Sequence, residues 1–277
     1  MKVRMKKILV LLITFIIIIN SSCSDKNKVV NNNNPSKISN DYLIMSVLFH
    51  QQAAEYKALC YQAFNIARIM IDKDIADKNI KATKRAIILD IDETILDNSP
   101  YEAKCILDTI GYPKMWDEWC KLAVAEPLPG AVDFLNYVAS KGIEIFYISN
   151  RKEKLLNATI KNLKDKGFPM ADEKHLLFRK DDEKNNSKEK RRNIVEQNYH
   201  IILYLGDNLA DFSKLYDDVD LSSRNKITDS LYAKFGHNYI ILPNSMYGDW
   251  EMVLYNKNID TTALLKYNKR RSLLKSF

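Results

Sequence analysis

The stretch Ala86-Ile87-Ile88-Leu89-Asp90-Ile91-Asp92-Glu93-Thr94 decides the reading of this chain. Four apolar residues run into two carboxylates spaced by two, and in extended backbone that spacing turns both side chains to one side. In open α/β sheets ligands bind beyond the carboxyl ends of the strands. Two carboxylates held there can divide a phosphoryl transfer: an ionised one attacks phosphorus, and a protonated one donates to the leaving oxygen. Neighbouring negative charge favours keeping that second proton. Alone, the pattern Asp-x-Asp-x-Thr recurs by chance, and a lone acidic pair is usually a solvated turn. Its meaning depends on what surrounds it.

Further short apolar blocks lie at 143–148, 175–178, 201–205 and 239–242, each of a length that suits a buried parallel strand. Helical stretches separate them, at 131–140, entered by Pro129 and closed near Gly142, and at 152–166, stopped by Gly167. This alternation predicts an α/β fold with a doubly wound parallel sheet. Upstream, over 41–77, Leu48, Ala53, Tyr56, Leu59, Ala63, Ala67 and Met70 recur at helical spacing, as one face of a long helix or helical pair with Asp41 as N-cap. Residues 98–128 break the strand-helix rhythm and carry Tyr101, Tyr112, Trp116 and Trp119. They are expected to form, with the N-terminal helices of 41–83, a small and mostly helical cap on a core of 84–97 and 129–277.

Three more polar clusters follow in order, each after a candidate strand or in the following helix. In Ile148-Ser149-Asn150-Arg151 a hydroxyl and an amide beside helix N-terminal amides can grip phosphoryl oxygens without adding charge, with Arg151 as a brace. In Asn186-Ser187-Lys188-Glu189-Lys190-Arg191-Arg192 a lysine can stabilise phosphoryl charge, a role for which Lys180, Lys184, Lys188 and Lys190 compete. In Gly206-Asp207-Asn208-Leu209-Ala210-Asp211-Phe212 two acids four apart open a helix, an oxygen-rich set that suits Mg2+. Asp90 and Asp207 are the expected direct ligands, with the Asp92 backbone carbonyl and Asp211 as further ones.

At 277 residues and 46% hydrophobic content the chain can bury one sizeable core. Residues 1–22 read as a secretory signal, a basic start followed by an apolar run over 8–19 that is short for a membrane span. Ser21-Ser22-Cys23 resembles the lipobox of bacterial lipoproteins, with Asn20 where that box has Leu, so Cys23 is the expected site of lipidation. Residues 23–40, with four asparagines at 31–34, read as a disordered tether. The net charge of +7 includes Lys2, Arg4, Lys6 and Lys7 of the leader, and the tail Lys269-Arg270-Arg271 reads as a solvated helix end, so no nucleic-acid polymer is expected as a partner. Cys60, Cys105 and Cys120 are odd in number, lack C-x-x-C spacing, and allow at most one disulfide.

Taken together the four clusters resemble the haloacid dehalogenase superfamily. The wording Asp-x-Asp-Glu-Thr-x-Leu-Asp-Asn-Ser-Pro-Tyr with Gly-Asp-Asn-Leu-x-Asp-Phe is similar to its class C bacterial acid phosphatases. The resemblance runs from about residue 41 to 250 and takes in 125–131, 147–151 and 242–250. It implies a magnesium-dependent phosphomonoesterase with Asp90 as nucleophile and Asp92 as general acid and base. Thr94, Ser149 and Asn150 then bind phosphate, Asp90, Asp92, Asp207 and Asp211 form the metal set, and Lys188 matches the lysine of a Ser-x-Lys-x-x-Arg motif. Trp116 and Tyr247 match positions that stack on the base of nucleoside monophosphates. The implied setting is an exported lipoprotein of the cell envelope, at the outer membrane, anchored to the bilayer by its N-terminal lipid; a homodimer is compatible with it. Extra residues at 180–186 depart from the pattern. A nucleotide-capturing lipoprotein without turnover needs no Asp92, and a phosphotransferase on the same fold differs only in its acceptor.

Overall fold

In the computed structural model the residues described are 40–81, 84–180, 186–256 and 262–277. The leader, Cys23 and the tether up to residue 39 lie outside them. In chain order the strands are β1 (Arg85–Leu89), β2 (Leu96–Asp97), β3 (Glu126–Pro127), β4 (Glu144–Lys152), β5 (Leu176–Arg179), β6 (His200–Gly206) and β7 (Tyr239–Ile241). The helices used below are α1 (Ile44–Gln52), α2 (Ala54–Ala76), α3 (Ser99–Leu107), α4 (Trp116–Leu122), α5 (Ala131–Ser140), α6 (Leu156–Asp165), α7 (Glu189–Glu196), α8 (Leu221–Ser230), α9 (Asp249–Met252) and α10 (Ala263–Ser272).

Five strands form one parallel sheet in the order β5-β4-β1-β6-β7. The central strand is flanked on both edges and covered on both faces, which is why residues 86–89 can be apolar without alternation. From β1 the chain winds outward through β4 and β5, then returns to place β6 on the other side. The strand order reverses between β1 and β6, and that is where a doubly wound sheet opens its crevice. Asp90 extends the pairing by one residue, its N–H donating to Leu205 O at 3.0 Å, and so stands at the mouth of that crevice.

On one face α5 buries Ala131, Phe134, Leu135 and Val138, a stripe at helical spacing, and Phe134 stacks on Phe64 of α2 at 5.4 Å. The N-terminal helices divide their work. α1 packs on α3 of the insertion, whereas α2 lies on α5, β6 and β7, so α2 belongs to the core rather than to the cap. The break between them is at Ala53, whose backbone is extended. That break resets the helical phase, so a single stripe cannot be drawn through both helices. Leu48 and Leu59 are exposed, and the buried face is Val47, then Tyr56, Cys60, Ala63, Phe64, Ala67 and Ile71. Asp41 starts a 3-10 turn instead of capping a helix; the cap position is Asn40, whose side chain donates to Ile110 O at 2.5 Å.

The insertion returns to the core through the short antiparallel pair β2–β3, Leu96 opposite Pro127 and Asp97 opposite Glu126. Its own packing is aromatic: Tyr101 and Trp116 meet edge to face at 5.0 Å, and Tyr112 and Trp116 at 6.0 Å. The tail also differs from its sequence reading. Arg270 on α10 donates to Tyr255 Oη at 2.5 Å and to Glu251 at 3.0 Å, and lies 3.6 Å over the ring of Tyr42, so it is a clamp between the C-terminal helix and the N-terminal segment. Cys60, Cys105 and Cys120 are buried free thiols. Among the described residues no helix is long and apolar enough to cross a membrane.

Candidate active site

At the carboxyl ends of β1 and β6, Asp90, Asp207 and Asp211 each offer an oxygen within 4.8 Å of the others. Lys188, one residue before α7, bridges two of them, its Nζ 2.5 Å from Asp90 Oδ1 and 2.6 Å from Asp211 Oδ1. Asn244 donates to Asp207 Oδ2 at 2.8 Å. Burial pushes the Asp90 carboxyl up to about 7; Lys188 opposes the rise, and Asp211 and Asp92 add to it. Asp207 is pushed well above the carboxylate range, first by burial and then by Asp211 and Asp90. Burial works against the Lys188 ammonium, yet Asp211 and Asp90 outweigh it and hold its pKa above the ordinary lysine value. Three close carboxylates thus share one buried ammonium and remain short of positive charge. Hard oxygen donors with unmet negative charge fit a divalent cation of the Mg2+ type.

The Asp92 carboxylate is outside that cluster and turned to Arg151. Arg151 Nη2 donates to Asp92 Oδ1 at 2.7 Å, and its Nε lies 3.1 and 3.2 Å from the two oxygens. Burial opposes the guanidinium charge, but Asp92 and its neighbours more than offset this and raise the Arg151 pKa. Like-charge crowding was the sequence argument for Asp92, whereas the structure sets a buried cation against it, with Asn98 Nδ2 at 2.9 Å from Oδ1 and Ser149 Oγ at 3.4 Å from Oδ2. The brace expected of Arg151 acts on this acid. Glu93 closes the turn with φ 53°, its N–H donating to Leu96 O and its carboxylate accepting from Asn98 N at 2.7 Å. Thr94 is fully buried, and its Oγ1 has no hydrogen-bond partner within the protein. An orphaned hydroxyl four residues after Asp90 suits a site that takes up a further polar group.

Two motif surroundings differ from expectation. β4 runs on through Lys152, so Ser149 and Asn150 lie inside the strand and the helix begins beyond them. The Asn150 amide donates to Asn186 O at 2.9 Å and accepts from Arg191 at 2.7 Å. In this arrangement it braces the lysine segment. Asp211 ends a 3-10 turn, Leu209–Asp211, instead of opening an α-helix; Asn208 and Asp211 form a reciprocal capping box. Gly206 is required there, because a Cβ would stand 2.4 to 2.8 Å from the Asp211 side chain.

A family model described as HAD superfamily, subfamily IIIB (Acid phosphatase) matches residues 14–250. The chain belongs to this family. Among solved structures, the class C acid phosphatase from Bacillus anthracis superposes with a TM-score of 0.81 at 45% identity, covering 86% of this chain and 98% of that one. The same enzyme with tungstate bound matches at 46% identity and the same TM-score. Vegetative storage protein 1 of Arabidopsis thaliana is 32% identical over 177 residues, 62% of this chain and 61% of its own length. Acid phosphatase 1 of Solanum lycopersicum is 28% identical over 134 residues, 45% of this chain and 50% of its own. The chain thus spans between half and three fifths of the length of these curated relatives.

In this subfamily IIIB chain, the folded site brings Asp90, Lys188, Asp207 and Asp211 into direct contact or near contact, and ties Asp92, Ser149 and Trp116 together through Arg151, which lies 5.6 Å over the Trp116 ring. Tyr247 is half-buried in the loop after Asn244, its carbonyl accepting from Trp250 Nε1 at 3.1 Å. Sequence reasoning missed Asn98 and Asn244 as holders of Asp92 and Asp207. It also missed Arg192, which donates to the carbonyls of Ala210 and Asp211 at 2.8 and 3.0 Å. Adjacent Arg191 donates to Ser149 O at 2.6 Å, so two consecutive arginines fasten the ends of β4 and β6. Asn98 and Asn244 stood inside quoted motifs, but nothing in their spacing pointed to a partner.

Proposed function

We propose that this chain hydrolyses phosphomonoesters, nucleoside monophosphates and other organic phosphates among them, with Mg2+ and an aspartyl-phosphate on Asp90. The observation that carries the reading is Lys188 seated between Asp90 and Asp211 beside Asp207, a buried nucleophile with a cation at the place where phosphoryl charge develops. Tungstate, a tetrahedral oxyanion like phosphate, is bound in the Bacillus anthracis relative. That supports an oxyanion as what the pocket takes.

Asp90 attacks phosphorus through a carboxylate oxygen, and the bond to the leaving oxygen breaks. Asp92, oriented by Arg151 and Asn98, gives its proton to the departing alkoxide. In the second step the Asp92 carboxylate takes a proton from water, the water oxygen bonds to phosphorus, and the Asp90 carboxylate leaves with inorganic phosphate released. Lys188 holds the phosphoryl oxygens against their charge, with Thr94 and Ser149 as hydroxyl donors. Mg2+, held by Asp90, Asp207 and Asp211, would neutralise charge on nucleophile and phosphoryl group. Trp116 and Tyr247 are proposed to stack on a nucleobase.

Steady-state hydrolysis of p-nitrophenyl phosphate and of nucleoside monophosphates tests the reading. Activity is expected to vanish with EDTA, return with Mg2+, and be absent in Asp90→Asn; full turnover by that variant would refute the mechanism. The sequence further supports export, with Cys23 acylated and the enzyme held at the envelope, at the outer membrane, by its lipid. Labelling with radioactive palmitate, lost in Cys23→Ala, is the expected result. Sedimentation velocity decides between monomer and homodimer.

A further inference from the structure

A surface helix ordinarily buries its apolar stripe and leaves its cations in water, and α10 does the reverse. Thr262 caps it, accepting from Leu265 N at 3.3 Å, and Lys269, Arg270 and Arg271 stand in its last turn, where the helix dipole favours cations. Within α10 only Lys266 and Arg270, one turn apart, are half-buried; every other residue is exposed. Lys266 Nζ lies 5.3 Å over the ring of Tyr255, and the Arg270 guanidinium lies over Tyr42 and Tyr255 at 3.6 and 5.6 Å. Cations resting on aromatic rings thus fasten the helix to the body. The leucines face outward instead. Leu264, Leu265, Tyr267 and, just past the helix, Leu274 are 60%, 57%, 52% and 78% exposed.

Leu264, Tyr267 and Arg271 follow one another at steps of three and four, so they share one stripe, with Leu265 on its flank. Residues 263–277 hold Lys266, Lys269, Arg270, Arg271 and Lys275 and no acid. Single exposed leucines are ordinary, but leucines and a tyrosine set among cations, with no acid between them, suit a partner that is anionic at its surface and apolar beneath. A lipid bilayer with acidic headgroups has that chemistry. A second copy of the chain fits less well, because a two-fold contact through this face would set Lys269 and Arg271 against a patch of their own sign. A nucleic acid would meet the cations and leave the leucines in water.

We propose that α10 docks on the surface of an anionic phospholipid bilayer, its outward leucines entering the headgroup layer while Lys269 and Arg271 meet lipid phosphates. Tyr42, under Arg270, lies two residues from the first described residue, 40, so this contact stands at the end of the body where the chain leading from Cys23 joins it. The export reading above is what brings the chain to a membrane; the docking itself needs no acyl group on Cys23. Each cation near an anionic surface strengthens binding by roughly fivefold, so a helix with few of them partitions weakly alone and firmly once the chain is held nearby. The second hold then fixes the attitude of the body to the bilayer.

The test is hydrogen exchange over 263–272 in the full chain carrying Cys23→Ala, reconstituted with phosphatidylglycerol or with phosphatidylcholine vesicles. The apolar run at 8–19 is present in both samples and no acyl group takes part, so neither accounts for a difference between the lipids. Turnover is not read, which keeps the outcome separate from that of the hydrolysis reading. Exchange is expected to be about fivefold or more slower on phosphatidylglycerol, with the difference closing at high salt. Lys269→Gln with Arg271→Gln, and separately Leu264→Ser with Leu265→Ser, should each remove the difference; all four side chains are exposed and none belongs to the active site. Equal exchange of the parent chain on the two lipids would overturn the proposal, as would slowing retained by both double variants. Slowing that needs no vesicle and grows with protein concentration would assign the face to a second copy and overturn it too.

Discussion

Lys188 answers for more of the site than any one aspartate, because its ammonium is the buried charge that Asp90 and Asp211 share. Lys188→Met keeps the volume and removes the charge. The expected loss is about 10²–10³-fold in kcat on p-nitrophenyl phosphate, the scale of removing one donor aimed at developing charge. Gly206→Ala tests position rather than charge. Its Cβ would collide with the Asp211 side chain, and the outcome expected is a stability loss of about 1–3 kcal/mol in urea unfolding with a fall in kcat, since Asp211 must move. The four aspartates were legible in the sequence because an acid at the end of an apolar strand has few structural reasons to be there. Lys188 could be singled out only by resemblance, since neighbouring lysines satisfy the same local description. The roles of Asn98 and Asn244, and the partner of the brace Arg151, were illegible for a different reason. Their partners are fixed by side-chain direction after the chain has folded, as when Arg151 meets an acid 59 residues away.

The five strands of the parallel sheet, β4 apart, were read nearly to the residue, since a buried parallel strand writes itself as a short uninterrupted apolar block, whereas the two-residue pair β2–β3 was not read. β4 overran its apolar block because Ser149 and Lys152 still pair with β5 across a bulge at 150–151, and hydrogen-bonded ladders do not end where hydrophobicity does. The N-terminal helices were recognised as helical and misread in phase, the kink at Ala53 being a backbone event without Pro or Gly to announce it. α10 shows how far a charge run can mislead. Arg270 is read from sequence as solvated, yet it joins α10 to Tyr255, Glu251 and Tyr42. Arg270→Ala is expected to cost about 1–2 kcal/mol, from a lost cation–π contact and charge-assisted hydrogen bonds. Hydrogen exchange should speed up over 263–272 before it does so in the sheet; uniform protection in the variant would show that α10 is held by other means.

Across the whole molecule, two buried groups on the cap helices give stability opposite slopes with pH. His50 has its pKa lowered by burial from 6.5 to about 4, so the unfolded chain takes its proton first and stability falls as pH drops from about 6.5 to 4. Glu102 has its pKa raised by burial, and then by Glu251, from 4.5 to about 7. The folded chain keeps that proton longer, so its contribution is present below pH 4.5 and lost as pH rises through 7. Each effect is on the order of 2 kcal/mol, and between about pH 4.5 and 6.5 they oppose each other. His50→Gln should move the melting-temperature maximum toward acid and Glu102→Gln toward neutral pH, as scanning calorimetry at pH 4.5 and 7 would register; shifts of the reverse sign would exclude these two groups as the source.

The bond between Lys188 and Asp90 joins residues 98 positions apart, and Arg191 and Arg192 close on strands that pair only when the sheet is complete. Closing so long a loop is entropically slow, and it yields nothing until both ends are in place. A chain refolding from denaturant therefore regains helical signal first and turnover last, and a collapsed intermediate with much of its secondary structure remains catalytically silent.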